Sequence, residues 1–196
     1  MHPEIISLCL FMFVTSCSPG PNNIVASYSG FNFGILKTIP HMCGVVFGFT
    51  TLVAIMNFGL LNIFQRYPII QEILKYTGTF FLIYLAYKIS FSKSSTEGVK
   101  KNPVKFIETF FFQFINPKSV IVSVIMVSTY VDRGKDFLFY SFWVIGVACL
   151  FAIISINFWT LIGKFLRRFA TSEKFIKRFN YIMSLLLLAC IATFYL

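Results

Sequence analysis

Six stretches of this chain, roughly 4–28, 39–61, 69–90, 106–131, 137–160 and 179–196, run apolar for about 18 residues or more, long enough to cross a bilayer core of ~30 Å. Composition agrees: of 196 residues, 57% are hydrophobic and 12% charged, and the mean hydropathy is +0.78. That is too apolar for a soluble domain of this size. The connections are short and leave no room for a separate soluble domain. The expected fold is an all-α membrane protein with six transmembrane helices, in one membrane domain over 1–196. The N-terminal MHPEIISLCLFMFV lacks the cationic region and small-residue cleavage site of a signal peptide, and reads as the start of the first span.

The formal charge of +10 raises the question of nucleic acid, and the placement of the charge answers against it. The connections after spans one, three and five hold 12 of the 17 Lys and Arg residues, the opposite side holds Arg66, Lys75, Arg133 and Lys135, and Lys118 lies within a span. This is the positive-inside pattern of a cytoplasmic-membrane protein. It places both termini outside the cytoplasm and turns the basic loops toward anionic lipid headgroups. The cysteines, Cys9, Cys17, Cys43, Cys149 and Cys190, have no CxxC spacing and sit in apolar runs, as small packing residues do.

The first run is interrupted by Ser18-Pro19-Gly20-Pro21-Asn22-Asn23. Each interior proline costs a helix roughly 3 kcal/mol or more, so the helix breaks there. The fourth run has its own break at Phe114-Ile115-Asn116-Pro117-Lys118. Aligning Pro19 with Pro117 starts the next span about twenty residues later in each half, near Ile39 and near Phe137. Each half, about 1–92 and about 104–196, is then a broken helix followed by two continuous ones. Three spans per half is an odd number, so the two repeats must be inverted. Matching breaks in inverted repeats point to a transporter's substrate site, because non-helical backbone at membrane depth survives only inside protein or along a cavity. A half-helix beginning at a break presents N–H groups and a positive dipole end suited to a carboxylate. Carbonyls freed by the prolines could hold an ammonium group.

The expected substrate-binding residues are therefore Pro19, Gly20, Pro21, Asn22, Asn23, Gln113, Asn116, Pro117 and Lys118. A lysine at the bilayer centre costs about 2.5–3.5 kcal/mol, which turns Lys118 toward the cavity, either as partner of a carboxylate or paired with carbonyls at the break. Asn22, Asn23 and Asn116 can donate and accept, as a zwitterion requires, and can also cap the half-helices. Gln113 shares a helical face with Asn116 and either lines the path or joins helices. Gly44 and Gly48 form GxxxG, a close-packing element used within one subunit or between two, so a homodimer is left open. No acid lies mid-span, which favours neutral zwitterions over cationic ligands; Glu108 reads as an interfacial anchor among Lys100, Lys101 and Lys105, with a proton-linked group as the alternative. His41, near the start of span two, reads as structural. No metal-ligand cluster or nucleophile–base pair is visible, so neither cofactor nor enzyme chemistry is expected.

Pro19-Gly20-Pro21-Asn22 and the later Asn116-Pro117-Lys118 resemble the marks of the LysE/RhtB family of amino-acid exporters. The segment from Lys75-Tyr76-Thr77-Gly78 to Tyr84-Leu85-Ala86-Tyr87-Lys88 is similar to that family's third span. Within it, Thr15 to Ile24, Phe112 to Asn116, Ser128 to Val131 and Leu186 to Ile191 look most like the cysteine/O-acetylserine exporters. The resemblance implies proton-coupled export of small amino acids or their metabolites. Two other classes compete. A membrane thiol–disulfide carrier would need a cysteine in each broken helix; Cys17 precedes Pro19, but Ile115 holds the matching place. The other is a pore or a purely structural membrane protein, for which the chain shows no ring of charges and no repeated filter sequence.

Overall fold

The computed structural model describes residues 3–90, 103–131, 134 and 136–195. Lys93, Lys100, Lys101, Arg133 and Lys135, which contribute to the charge asymmetry, lie outside the described residues. Every regular element among the described residues is helical. In chain order they are α1 (Pro3–Cys17), α2 (Pro21–Ile55), a π-helical turn (Met56–Leu60), α3 (Leu61–Arg66), α4 (Pro68–Ser90), α5 (Phe106–Ile115), α6 (Pro117–Tyr130), α7 (Phe137–Arg167) and α8 (Glu173–Ala192).

Both expected breaks are present. Helix α1 stops at Cys17, and α2 restarts with Pro21 in its first turn, where a missing N–H costs no hydrogen bond. Helices α5 and α6 meet at a bend of 61°. Asn116 there has an extended backbone and Pro117 opens the new helix.

The largest difference from the sequence reading lies in α2. A loop was expected between about 28 and 39, whereas the chain stays helical on both sides of a reversal at Gly34, whose φ is 77° and ψ 176°. The reversal is evident from His41, whose Nε2 lies 3.4 Å from the carbonyl oxygen of Asn22. In a straight helix those residues would be ~28 Å apart. Positive φ is cheap only for glycine, so one residue replaces the loop. Thr38 Oγ1 donates to the Gly34 carbonyl at 2.7 Å and holds the turn.

By length and apolarity, Pro21–Arg66, Phe137–Arg167 and Glu173–Ala192 can each cross a membrane, and the bent pair α5–α6 makes a fourth. The sequence shows six apolar runs. The reversal at Gly34 places two of them in one helical segment, and the break leaves α1 with 15 residues. Large apolar side chains such as Leu36, Phe80 and Phe142 face outward, 83%, 72% and 74% exposed, on a surface far too apolar for water.

Two apolar clusters hold the bundle. Leu8, Met12, Leu52, Met56, Met126, Val144 and Ala148 join α1, the second arm of α2 with the π-helical turn after it, α6 and α7. Ile24, Tyr28, Leu82, Leu85, Phe112 and Leu187 join the first arm of α2 to α4, α5 and α8. Phe31 stacks on Phe179 with ring centres 3.8 Å apart, and Asn32 Nδ2 donates to Asn180 Oδ1 at 2.8 Å.

Glycines set the closest approaches. A Cβ at Gly44 or Gly48 would stand 2.7 Å from the carbonyl of Phe106 or Phe110. The GxxxG face is thus spent against α5 of the same chain. Glu108 accepts from the Lys105 N–H at 3.2 Å and lies 3.6 Å from the Lys88 ammonium. Its anchoring partners are Lys105 and Lys88, while Lys100 and Lys101 lie outside the described residues.

Candidate functional site

The two breaks face each other across one cleft. Its polar wall comes from α1 (Thr15, Ser16), from the first turns of α2 and α6, and from Gln113 and Ser155. Its apolar wall includes Met12, Phe49, Val122 and Ile156. Two helix N-termini therefore open on the same space, as a ligand anion requires. Lys118 is the charged side chain among the described residues lining it.

Four residues stitch the break after α1. Lys118 Nζ donates to the Ser18 carbonyl at 3.0 Å and to Ser18 Oγ at 2.7 Å. Asn23 Nδ2 donates to the carbonyls of Ser16 and Ser18, both at 3.1 Å. The Ser16 carbonyl also accepts from Ser155 Oγ at 3.0 Å and Trp159 Nε1 at 3.2 Å. These are the orphan carbonyls that end any helix. The sequence reading left them for a ligand's ammonium; in the structure protein donors take them, because buried carbonyls are costly to leave unpaired.

Across the cleft, Asn22 and Gln113 form a reciprocal amide pair. Asn22 Nδ2 donates to Gln113 Oε1 at 2.8 Å, and Gln113 Nε2 donates to Asn22 Oδ1 at 3.1 Å. Gln113, fully buried, also donates to the Thr109 carbonyl at 2.9 Å and accepts from Ser119 Oγ at 3.1 Å. Thr109 Oγ1 lies 2.9 Å from His41 Nδ1, and His41 Nε2 faces the Asn22 carbonyl. His41 is thus a buried member of this network, 2% exposed, rather than a residue at a free helix end.

Of the expected residues, Gly20, Pro21, Asn22, Asn23, Gln113, Asn116 and Lys118 line the cleft. Pro19 instead lines a second cleft, shared with Gly20, Pro21 and Lys118. Pro117 turns its ring toward α4, 3.4 Å from where a Cβ on Gly78 would be; its part is to open the break. The caps are divided unevenly. Asn116 accepts from the Lys118 N–H at 3.2 Å and caps α6, Asn23 closes α1, and Asn22 pairs with Gln113. The sequence reading missed Ser16, Ser119 and Ser155. Hydroxyls at 119 and 155 inside apolar runs were the available signal. The described cysteines are free thiols.

The chain matches the family described as LysE type translocator over residues 13–195. It is 29% identical to the "Cysteine/O-acetylserine efflux protein" of Escherichia coli and to the protein of that name from Shigella sonnei, in each case over 97% of both chains. The protein so named from Salmonella paratyphi A is 30% identical over the same shares. No solved structure matches. A translocator match spanning nearly the whole chain sets aside the electron-carrier reading, and the protein belongs to the LysE family of membrane transporters rather than to any class of enzyme.

Proposed function

We propose that this protein is a secondary-active exporter of small neutral amino acids or their metabolites, of the cysteine/O-acetylserine kind, across a bacterial cytoplasmic membrane. The observation that carries this reading is the meeting of two helix breaks, remote in sequence, at one cleft bridged by Lys118 and Ser18. The printed names of the relatives support the substrate class. So does the absence of carboxylates among the described residues of the cleft wall, where a cationic side chain would find no counter-charge. The architecture in this reading is six spans in two inverted repeats, about 1–92 and 104–196, with both termini outside the cytoplasm. Protons are the coupling ion and the basic loops rest on anionic lipid.

In this reading the roles divide as follows. Pro19, Gly20, Pro21 and Pro117 open the backbone. Lys118 and the helix N-termini receive the carboxylate. Asn22, Asn23, Gln113 and Asn116 shape the seat of the ligand, held in place by the bonds they make to one another and to the two breaks.

The test is movement of labelled cysteine and O-acetylserine in inverted vesicles, with and without a pH gradient, against lysine and leucine. Gradient-dependent movement of the first pair is expected, with Lys118→Ala and Asn116→Ala lowering the initial rate about tenfold or more, the loss of a charge-assisted contact. Movement of leucine or lysine instead would retain export and reject the substrate class. Folded protein that moves none of the four would overturn the reading.

A further inference from the structure

We propose that Ser18, at the break beside the cleft, is an ammonium subsite, and that Lys118, which lines the cleft, fills it as an internal stand-in until the ammonium of a ligand takes its place. This rests on the amino-acid reading above and adds a specificity-determining residue to it.

The subsite is built at the C-terminal end of α1, where the helix dipole is negative. Ser18 offers two acceptors to one cation, its carbonyl at 3.0 Å and its hydroxyl at 2.7 Å from Lys118 Nζ. An ammonium carries three N–H donors, so this is a seat for a primary ammonium with one already in it. The lysine reaches it from the opposite break by lying along Gly20. A Cβ at Gly20 would stand 2.9 Å from both Cδ and Nζ of Lys118. Gly20 has an extended backbone that any residue adopts; what the glycine supplies is the room in which the lysine lies.

Two ammonium groups cannot share these acceptors, since like charges in contact repel strongly away from water. A ligand that seats its ammonium at Ser18 must therefore displace Lys118, and a displaced Lys118 needs an anion. A carboxylate on the neighbouring carbon of the same ligand supplies it. An amine without a carboxylate displaces the lysine into an unpaired state. A carboxylate without an amine finds the lysine engaged. The exchange thus selects ligands carrying both groups, and it severs the tie between the two breaks only when such a ligand is bound.

The test uses purified protein in detergent at constant ionic strength, read by thermal unfolding. Lys118→Met removes the stand-in while keeping its bulk. Ethylammonium is expected to raise the Tm of Lys118→Met saturably, by about 3 °C or more, with no such rise from tetramethylammonium, which has no N–H, and none in the wild-type protein. Equal responses of wild type and variant, or no response of the variant, would overturn the proposal. Should Lys118→Met fail to fold, the wild type gives a second readout. L-cysteine is expected to raise its Tm where N-acetyl-L-cysteine and cysteamine do not, and any pattern that does not favour the zwitterion over both overturns the subsite. Binding of ethylammonium needs no transport. A protein that exports no amino acid yet shows that shift loses the functional reading alone; one that exports without it loses the subsite alone.

Discussion

Gly163→Ala is expected to leave little folded protein. A methyl group at Gly163, in α7, would overlap the carbonyl, carbonyl carbon and Cα of Ser27 in α2. All three are backbone atoms. Ser27 is itself pinned, because its hydroxyl donates to the Trp159 carbonyl at 2.9 Å. The contact is doubled one turn away, where Gly30 meets the Thr160 carbonyl in the same manner. Overpacking a site that can relax costs about 1–3 kcal/mol; here two helices would have to separate along their closest line of approach, so the upper end applies. Replacing glycine in a helix gains at most ~1 kcal/mol of propensity, which does not offset that. Gly146→Ala, in the same helix with nothing within 4 Å of its added Cβ, is the matched control and is expected to be neutral or slightly stabilising. Size-exclusion profiles and thermal unfolding in detergent read both. A Gly163→Ala protein as stable as Gly146→Ala would mean that α2 and α7 do not approach at Ser27.

Gln113→Leu is expected to lower the initial rate of export by about tenfold or more, through the loss of the amide pair. Leucine keeps the volume but leaves both polar atoms of Asn22 and the Ser119 hydroxyl without their partner. Each unsatisfied buried group costs about 1–3 kcal/mol. Asn22 sits one residue past the proline that begins α2, so its freedom is also the freedom of the cleft wall. Because the two amides act as one unit, substituting both with alanine is expected to cost less than the sum of the single substitutions, by about 0.5–3 kcal/mol. Rates in inverted vesicles and unfolding curves for the single and double variants provide the cycle. Strictly additive losses would show that Asn22 and Gln113 work separately, and an unchanged rate in a destabilised Gln113→Leu would reduce the pair to helix glue.

How much of this was legible beforehand differs from one feature to the next. The breaks at Pro19 to Pro21 and at Asn116–Pro117 could be read because proline's geometry is local and acts wherever it stands. The inward turn of Lys118 followed from the cost of a charge in hydrocarbon. Its partner did not, since nothing local ties residue 118 to Ser18. The Asn22–Gln113 pair was hidden for the same reason: capping is a rule about near neighbours, and each of these amides bonds across the bundle. A connection between about 28 and 39 was legible, but its form was not: the residues around Gly34, Phe31 to Leu36, lack the polar cluster that marks a loop, and nothing local says that one glycine, with helix on both sides, makes the whole turn. Ser155 reads as one hydroxyl among apolar neighbours until α7 is seen to lie beside the end of α1.

The single-residue reversal at Gly34 has a mechanical side. An ordinary loop contains slack, and the helices it joins can slide or tilt independently. Here the two arms of α2 share one pivot, with Asn22 on one arm and Val45 and Phe49 on the other, all three on the cleft wall. The width of the cleft at that wall and the angle at the glycine are then a single variable, in the manner of tongs. Any widening there must be taken up by φ and ψ of Gly34 or by bending of the arms themselves, and the first is by far the softer spring.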